Sequence, residues 1–146
     1  MYLSVSSSYA EFFQPDQFNS FVAISPDFSG APLNDFAVTY DAIYAYVGYE
    51  YEEPRRGNGT ILLTFDMDNM TLSGEDSVLF SFSADLIDGE TFAETGTVGS
   101  AEFGTNEVNI VPDSKVSDEG VMIGFNYESS EEEYTFAGVI YGPGGD

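Results

Sequence analysis

Apolar and polar residues alternate with a period of two wherever the chain is regular. Ile61, Leu63, Phe65 and Met67 share one face of a segment whose other face is Thr60, Leu62, Thr64 and Asp66. Val78, Phe80, Phe82 and Ala84 oppose Leu79, Ser81, Ser83 and Asp85, and Val121, Ile123, Phe125 and Tyr127 oppose Met122, Gly124, Asn126 and Glu128. Successive side chains of a strand point to opposite faces, so this pattern predicts half-buried β-strands. Tyr134, Phe136, Gly138 and Ile140 follow the same rule more loosely, and shorter candidates cover 3–7, 18–24, 98–103 and 108–111. Apolar positions at helical spacing are scarce.

Polar corners separate these runs. Asp68-Asn69 lies between strands expected over 60–67 and 70–73 and suits a tight hairpin, because both residues tolerate left-handed backbone. Similar punctuation stands at Asp88-Gly89, Gly104-Thr105-Asn106, Pro112-Asp113-Ser114 and Asp118-Glu119-Gly120, and the acidic run 128–133 reads as a solvated hairpin tip. Eight to ten short strands in 146 residues predict a single all-β domain, an antiparallel barrel of eight or nearly eight strands, closed so that one face is buried and edges are protected. Residues 1–35, broken by Pro15, Pro26 and Gly30, read as an irregular aromatic cap, and 36–146 as the antiparallel strands. Within 39–51, Tyr40, Tyr44 and Tyr46 sit on even positions and Tyr49 and Tyr51 on odd ones. A bulge at Gly48 would bring them onto one face.

Composition narrows the function classes. There are 26 Asp and Glu against 3 Lys and Arg, a formal charge of −23, and no His, Cys or Trp. Such a surface repels a phosphate backbone, which excludes nucleic acid as the expected partner. Without His or Cys there is no Ser-His-Asp triad, no Cys nucleophile and no thiolate or imidazole zinc site. A glycosidase would need two carboxylates at a set separation, and nothing marks a pair among 26, so the chain reads as non-enzymatic. Self-repulsion on this scale favours a saline or divalent-rich medium. No stretch reaches the roughly 20 apolar residues of a membrane-spanning helix, and Met1-Tyr2-Leu3-Ser4 lacks the basic and apolar regions of a signal peptide.

Two clusters could carry binding. Asp66, Asp68, Asn69 and Glu75 offer hard oxygen ligands in a short span, and calcium is the ion they would suit, although Met70 and Thr71 stand where an EF-hand needs a ligand and a glycine. The other reading is an ordinary acidic turn. Tyr44, Tyr46, Tyr49 and Tyr51 with Arg55 form a candidate partner-binding surface, since Tyr and Arg commonly anchor interfaces. The same rings could instead fill the barrel.

The segment Gly59 to Asp66 followed by Asn69 to Gly74 resembles the strand-turn-strand of the C-terminal β-barrel in transferrin-binding protein B-like surface lipoproteins. The ending Ala137-Gly138-Val139-Ile140-Tyr141-Gly142-Pro143 is similar to that family's glycine, aromatic and Gly-Pro signature. The resemblance covers about 57–146 and implies an eight-stranded antiparallel barrel on the surface of Gram-negative bacteria that binds a protein or small ligand. It also implies a further strand after Gly-Pro, which this chain lacks. A barrel without its last strand has an open edge, so the alternative expectation is a secreted structural subunit that self-assembles through strand edges or calcium.

Overall fold

A computed structural model of the chain describes residues 2–9, 18–25, 39–50, 53–76, 80–88, 91–128 and 134–145. The strands are β1 (Tyr2–Tyr9), β2 (Phe18–Ser25), β3 (Thr39–Glu50), β4 (Glu53–Asp66), β5 (Thr71–Glu75), β6 (Ser81–Leu86), β7 (Phe92–Ser100), β8 (Gly104–Ile110), β9 (Lys115–Ser117), β10 (Gly120–Glu128) and β11 (Tyr134–Gly145). Nine of them form one antiparallel sheet in the order β11-β3-β4-β5-β6-β7-β8-β10-β9, and β11 also pairs with β10. That last pairing closes a barrel of eight strands and leaves β9 as the extra one.

Alternation along each strand sends one set of side chains into the barrel. β3 contributes Tyr40, Ala42, Tyr44 and Tyr46, β4 contributes Ile61, Leu63 and Phe65, and β10 contributes Val121, Ile123 and Phe125. Together with Phe80, Phe82 and Phe136 these side chains fill the interior. An eight-stranded barrel is just wide enough for that. Two tyrosine rings need room on the neighbouring strand. Gly57 and Gly59 face Tyr46 and Tyr44 across the β3–β4 ladder, and a Cβ on either would lie 2.4 or 2.8 Å from the phenol oxygen. Glycine is therefore required there by the rings lying over the backbone.

The outer face of β10 and β11 is buried as well. β1 and β2 pair along their full length as a separate hairpin, and Ile24 and Val22 of β2 pack with Met122, Val139, Val111 and Tyr141 on the outside of the barrel. A strand buried on both faces reads as nearly continuous apolar sequence, which is why alternation is weak along β11.

Three expectations are corrected. Gly48 carries no bulge: β3 pairs in unbroken register with β4 from Thr39 to Glu50, so Tyr49 lies on the face opposite Tyr44 and Tyr46. The final strand is not missing, because β11 pairs with β10 and β3 through Pro143 and Gly145 and closes the barrel within the residues described. Residues 101–103 form a turn and not the end of a strand. Residues 1–35, expected as an irregular cap, hold the β1–β2 hairpin, with 10–17 and 26–35 outside the described residues, as are 77–79 and the acidic run 129–133.

Candidate functional site

Antiparallel connectivity puts the β3–β4, β5–β6, β7–β8 and β10–β11 connections at the same end of the barrel. Tyr44 and Tyr46 rise towards this end and meet aromatic residues that descend from the connections. Phe80, just before β6, stacks on Tyr44 with ring centroids 3.8 Å apart, and Phe103, in the β7–β8 turn, stacks on Phe136 at 4.7 Å. Tyr127 stacks on Phe136 at 5.3 Å, and Tyr46 meets Phe103 edge-on at 6.1 Å. Such pairs add about 0.5–1.5 kcal/mol each beyond the area they bury.

A buried phenol needs a partner, and here carboxylates supply it. Tyr44 Oη donates to Asp76 Oδ2, and Tyr46 Oη donates to Glu102 Oε2. Deeper in the barrel, Tyr40 Oη donates to the Ser117 carbonyl at 2.6 Å. Burial pushes all three phenols above the usual tyrosine value. The carboxylates hydrogen-bonded to Tyr44 and Tyr46 raise those two further, and the charge of Asp118 does the same for Tyr40. These hydroxyls are therefore neutral donors near pH 7, and two of them pin the carboxylates of the β5–β6 and β7–β8 connections to the barrel wall.

Asp76 also shapes its own loop. Its amide donates to the Phe80 carbonyl at 2.8 Å, and its Oδ1 accepts the Phe80 amide at 2.9 Å. These two bonds tie the end of β5 to the residue before β6, and Phe80 is buried in the lumen. On the outer surface a cleft of about 520 Å³ lies between β3, β4 and the end of β5, lined by Asp41, Ile43, Thr60, Leu62, Glu75 and Asp76. Ile43 and Leu62 are 57% and 52% exposed.

The sequence-derived candidates divide between these environments. Tyr44 and Tyr46 are buried inside, Tyr49 is half-buried on the outer face, Arg55 is exposed and Tyr51 lies outside the described residues, so the proposed partner-binding set shares no face. Asp66, Asp68, Asn69 and Glu75 are all exposed. Asp66 serves the β4–β5 turn: its Oδ1 accepts the amides of Asp68 and Asn69 at 3.0 and 3.3 Å, and its Oδ2 accepts Asn69 Nδ2 at 2.8 Å. The side-chain bond from Asn69 and those amides hold the Asp66 carboxyl below its usual value. Among the described residues no three acidic side chains gather around a common point fit for a metal ion.

The pairing of Tyr44 with Asp76 and of Tyr46 with Glu102 escaped sequence reasoning because the partners lie in distant strands, 32 and 56 residues apart. The cleft did leave a signal, since Leu62 is apolar on the polar face of its strand. No protein-family model matches the chain, and no curated protein is similar to it. The resemblance to transferrin-binding protein B-like barrels thus rests on the two stretches that suggested it.

Proposed function

We propose that this chain is a non-enzymatic binding module, working outside the cell or on a bacterial surface, that holds a protein partner on the exterior of a rigid barrel. The observation that carries this reading is the filled lumen: Tyr40, Phe65, Phe80, Phe82, Phe125 and Phe136 are all within 2% of complete burial. A small ligand entering the barrel would have to displace packed aromatic side chains, each contributing about 1.5–3 kcal/mol by its burial. Recognition then belongs to the outer face and the connections, and a charge of −23 favours a basic partner. The likeness to surface lipoproteins supports the location.

Light scattering after size exclusion, at low salt, at high sodium chloride and with millimolar calcium, should give a mass near 15.9 kDa in all three. Growth that calcium drives and sodium at matched ionic strength does not would overturn the proposal in favour of a structural, assembling subunit. A neutral apolar dye such as Nile red should find no saturable site. Stoichiometric uptake would make the lumen the ligand site and overturn exterior binding.

A further inference from the structure

The ring of eight strands is not stitched evenly. β8 and β10 both lie within the described residues, yet only Ile110 opposite Phe125 and Asn109 opposite Asn126 pair between them. Every other neighbouring pair in the ring shares at least five such rungs, and β10 shares nine with β11. Beyond Asn126 the two strands part: Tyr127 pairs with Phe136 of β11 and has no register partner in β8.

Side chains seal what the backbone leaves open. At the foot of the seam the Gly124 amide donates to Ser114 Oγ at 2.9 Å, and in the middle Asn109 Nδ2 donates to Asn126 Oδ1 at 3.2 Å. At the top Phe103 stacks on Phe136, whose ring also stacks on Tyr127. One residue before Phe103, Glu102 accepts the phenol of Tyr46. The tip of the β7–β8 hairpin is thus tethered to β3 and β11, across the seam, by a hydrogen bond and a ring stack.

The two sides of the seam are unequally held. β10 is fixed by its nine rungs to β11 and by the β1–β2 hairpin packed on Met122 from outside. β8 has six rungs to β7 and moves with it as one hairpin. β9 follows β8 in the chain but stays on β10 through Lys115, Val116 and Ser117, so a displacement of β8 is absorbed at 111–114. Hinges are short connecting segments of this kind. We propose that the barrel opens along the β8–β10 seam, the β7–β8 hairpin swinging as a flap about 111–114 and closing under a latch made by Glu102 on Tyr46 and Phe103 on Phe136. Burial of Val108, Ile110 and Phe125 beneath the seam keeps the closed form populated. A closed barrel has no free edge, and the open flap supplies one along β10. The device is independent of what the outer face binds.

The test uses the whole chain and its double variant Asn109→Cys, Asn126→Cys. The chain has no cysteine of its own, and register partners on antiparallel strands stand about 4.5–5.5 Å apart at Cα, within reach of a disulfide. The Val111 amide bonds the Gly124 carbonyl, so the next hydrogen-bonded pair of the ladder is Asn109 with Asn126. Native-state hydrogen exchange is followed at the amides of positions 109, 111 and 126, with 43–46 of β3, laddered on both sides, as the reference. In the unmodified chain the seam amides should be less protected than the reference by about tenfold or more. In the oxidised variant that gap should close, and reduction with dithiothreitol should restore it. Equal protection at seam and reference in the unmodified chain overturns the proposal, and so does a crosslink that raises both alike. Glu102→Ala tests the latch separately: it should lower seam protection by about a further tenfold and leave 43–46 unchanged. A fall shared equally by the reference, or none at the seam, overturns the latch.

Discussion

Tyr44 and Tyr46 show how a residue's neighbours decide its chemistry. Each lies on the inward face of β3, each has glycine opposite it on β4, and each finds a carboxylate from a connection at the end of the barrel. The same phenol exposed on a surface would be free to anchor a partner. Here it is raised above its ordinary value of 10.0, as is Tyr40. A folded-state value above the unfolded one means that the folded protein keeps protons which the unfolded chain would release. The stability held by these phenols is therefore whole below about pH 10 and is lost as the pH rises through the folded values. In an alkaline titration the phenolate absorbance of three of the ten tyrosines should appear only together with loss of the near-ultraviolet circular dichroism. Complete ionisation near pH 10 with the fold intact would show that Tyr40, Tyr44 and Tyr46 are not buried donors.

Among the elements, the line of β8 and β9 along β10 is the informative irregularity. β8 meets β10 at Ile110 opposite Phe125, and β9 meets it at Lys115 opposite Met122, so four residues on one side span only two on the other. The excess is absorbed at Val111 to Ser114. Val111 donates its amide to the Gly124 carbonyl at 2.8 Å, and the Gly124 amide donates to Ser114 Oγ at 2.9 Å. A serine side chain thus replaces the missing rung of the ladder in a buried position. Removing that oxygen leaves the Gly124 amide without its acceptor, at a cost of about 1–3 kcal/mol. Ser114→Ala should lower the urea midpoint accordingly and speed hydrogen exchange at Gly124 first; an unchanged midpoint would mean that the rung is dispensable.

Sequence patterning made most of these elements legible, and the exceptions have physical causes. β4, β5 and β10 were plain because one face is apolar and the turns between runs carry Asp, Asn or Gly. The turn at Pro112-Asp113-Ser114 was visible as a break, but the role of Ser114 as a ladder rung depends on a strand ten residues away in the chain. A period of two assigns residues to two faces without saying which is inside, and at Gly48 it invited a bulge that unbroken pairing with β4 makes unnecessary. Cover from the β1–β2 hairpin was hidden for a related reason: two-sided burial of β11 weakens the alternation by which strands are recognised. The cleft was unreadable because Asp41, Leu62 and Glu75 come together only after three strands are placed side by side.

At the scale of the whole molecule, surplus negative charge works against closure. The chain carries 26 carboxylates, and only 3 basic side chains offset them. Repulsion of this kind is long-ranged at low salt, with a screening length of about 30 Å at 0.01 M, and falls to about 3 Å at 1 M. The unfolded chain spreads the same charges further apart, so screening relieves the folded state more. Thermal stability should therefore rise steadily with sodium chloride over that range. Calcium offers a sharper comparison. Asp66, the most plausible first ligand by position, already has its oxygens engaged by the Asp68 and Asn69 amides and the Asn69 side chain. Binding calcium there would cost the turn those bonds, so calcium should raise the melting temperature only as far as sodium does at matched ionic strength. An excess shift with calcium, abolished by Asp66→Asn, would show an ion held at the β4–β5 turn and would make that turn a ligand site as well as a corner of the barrel.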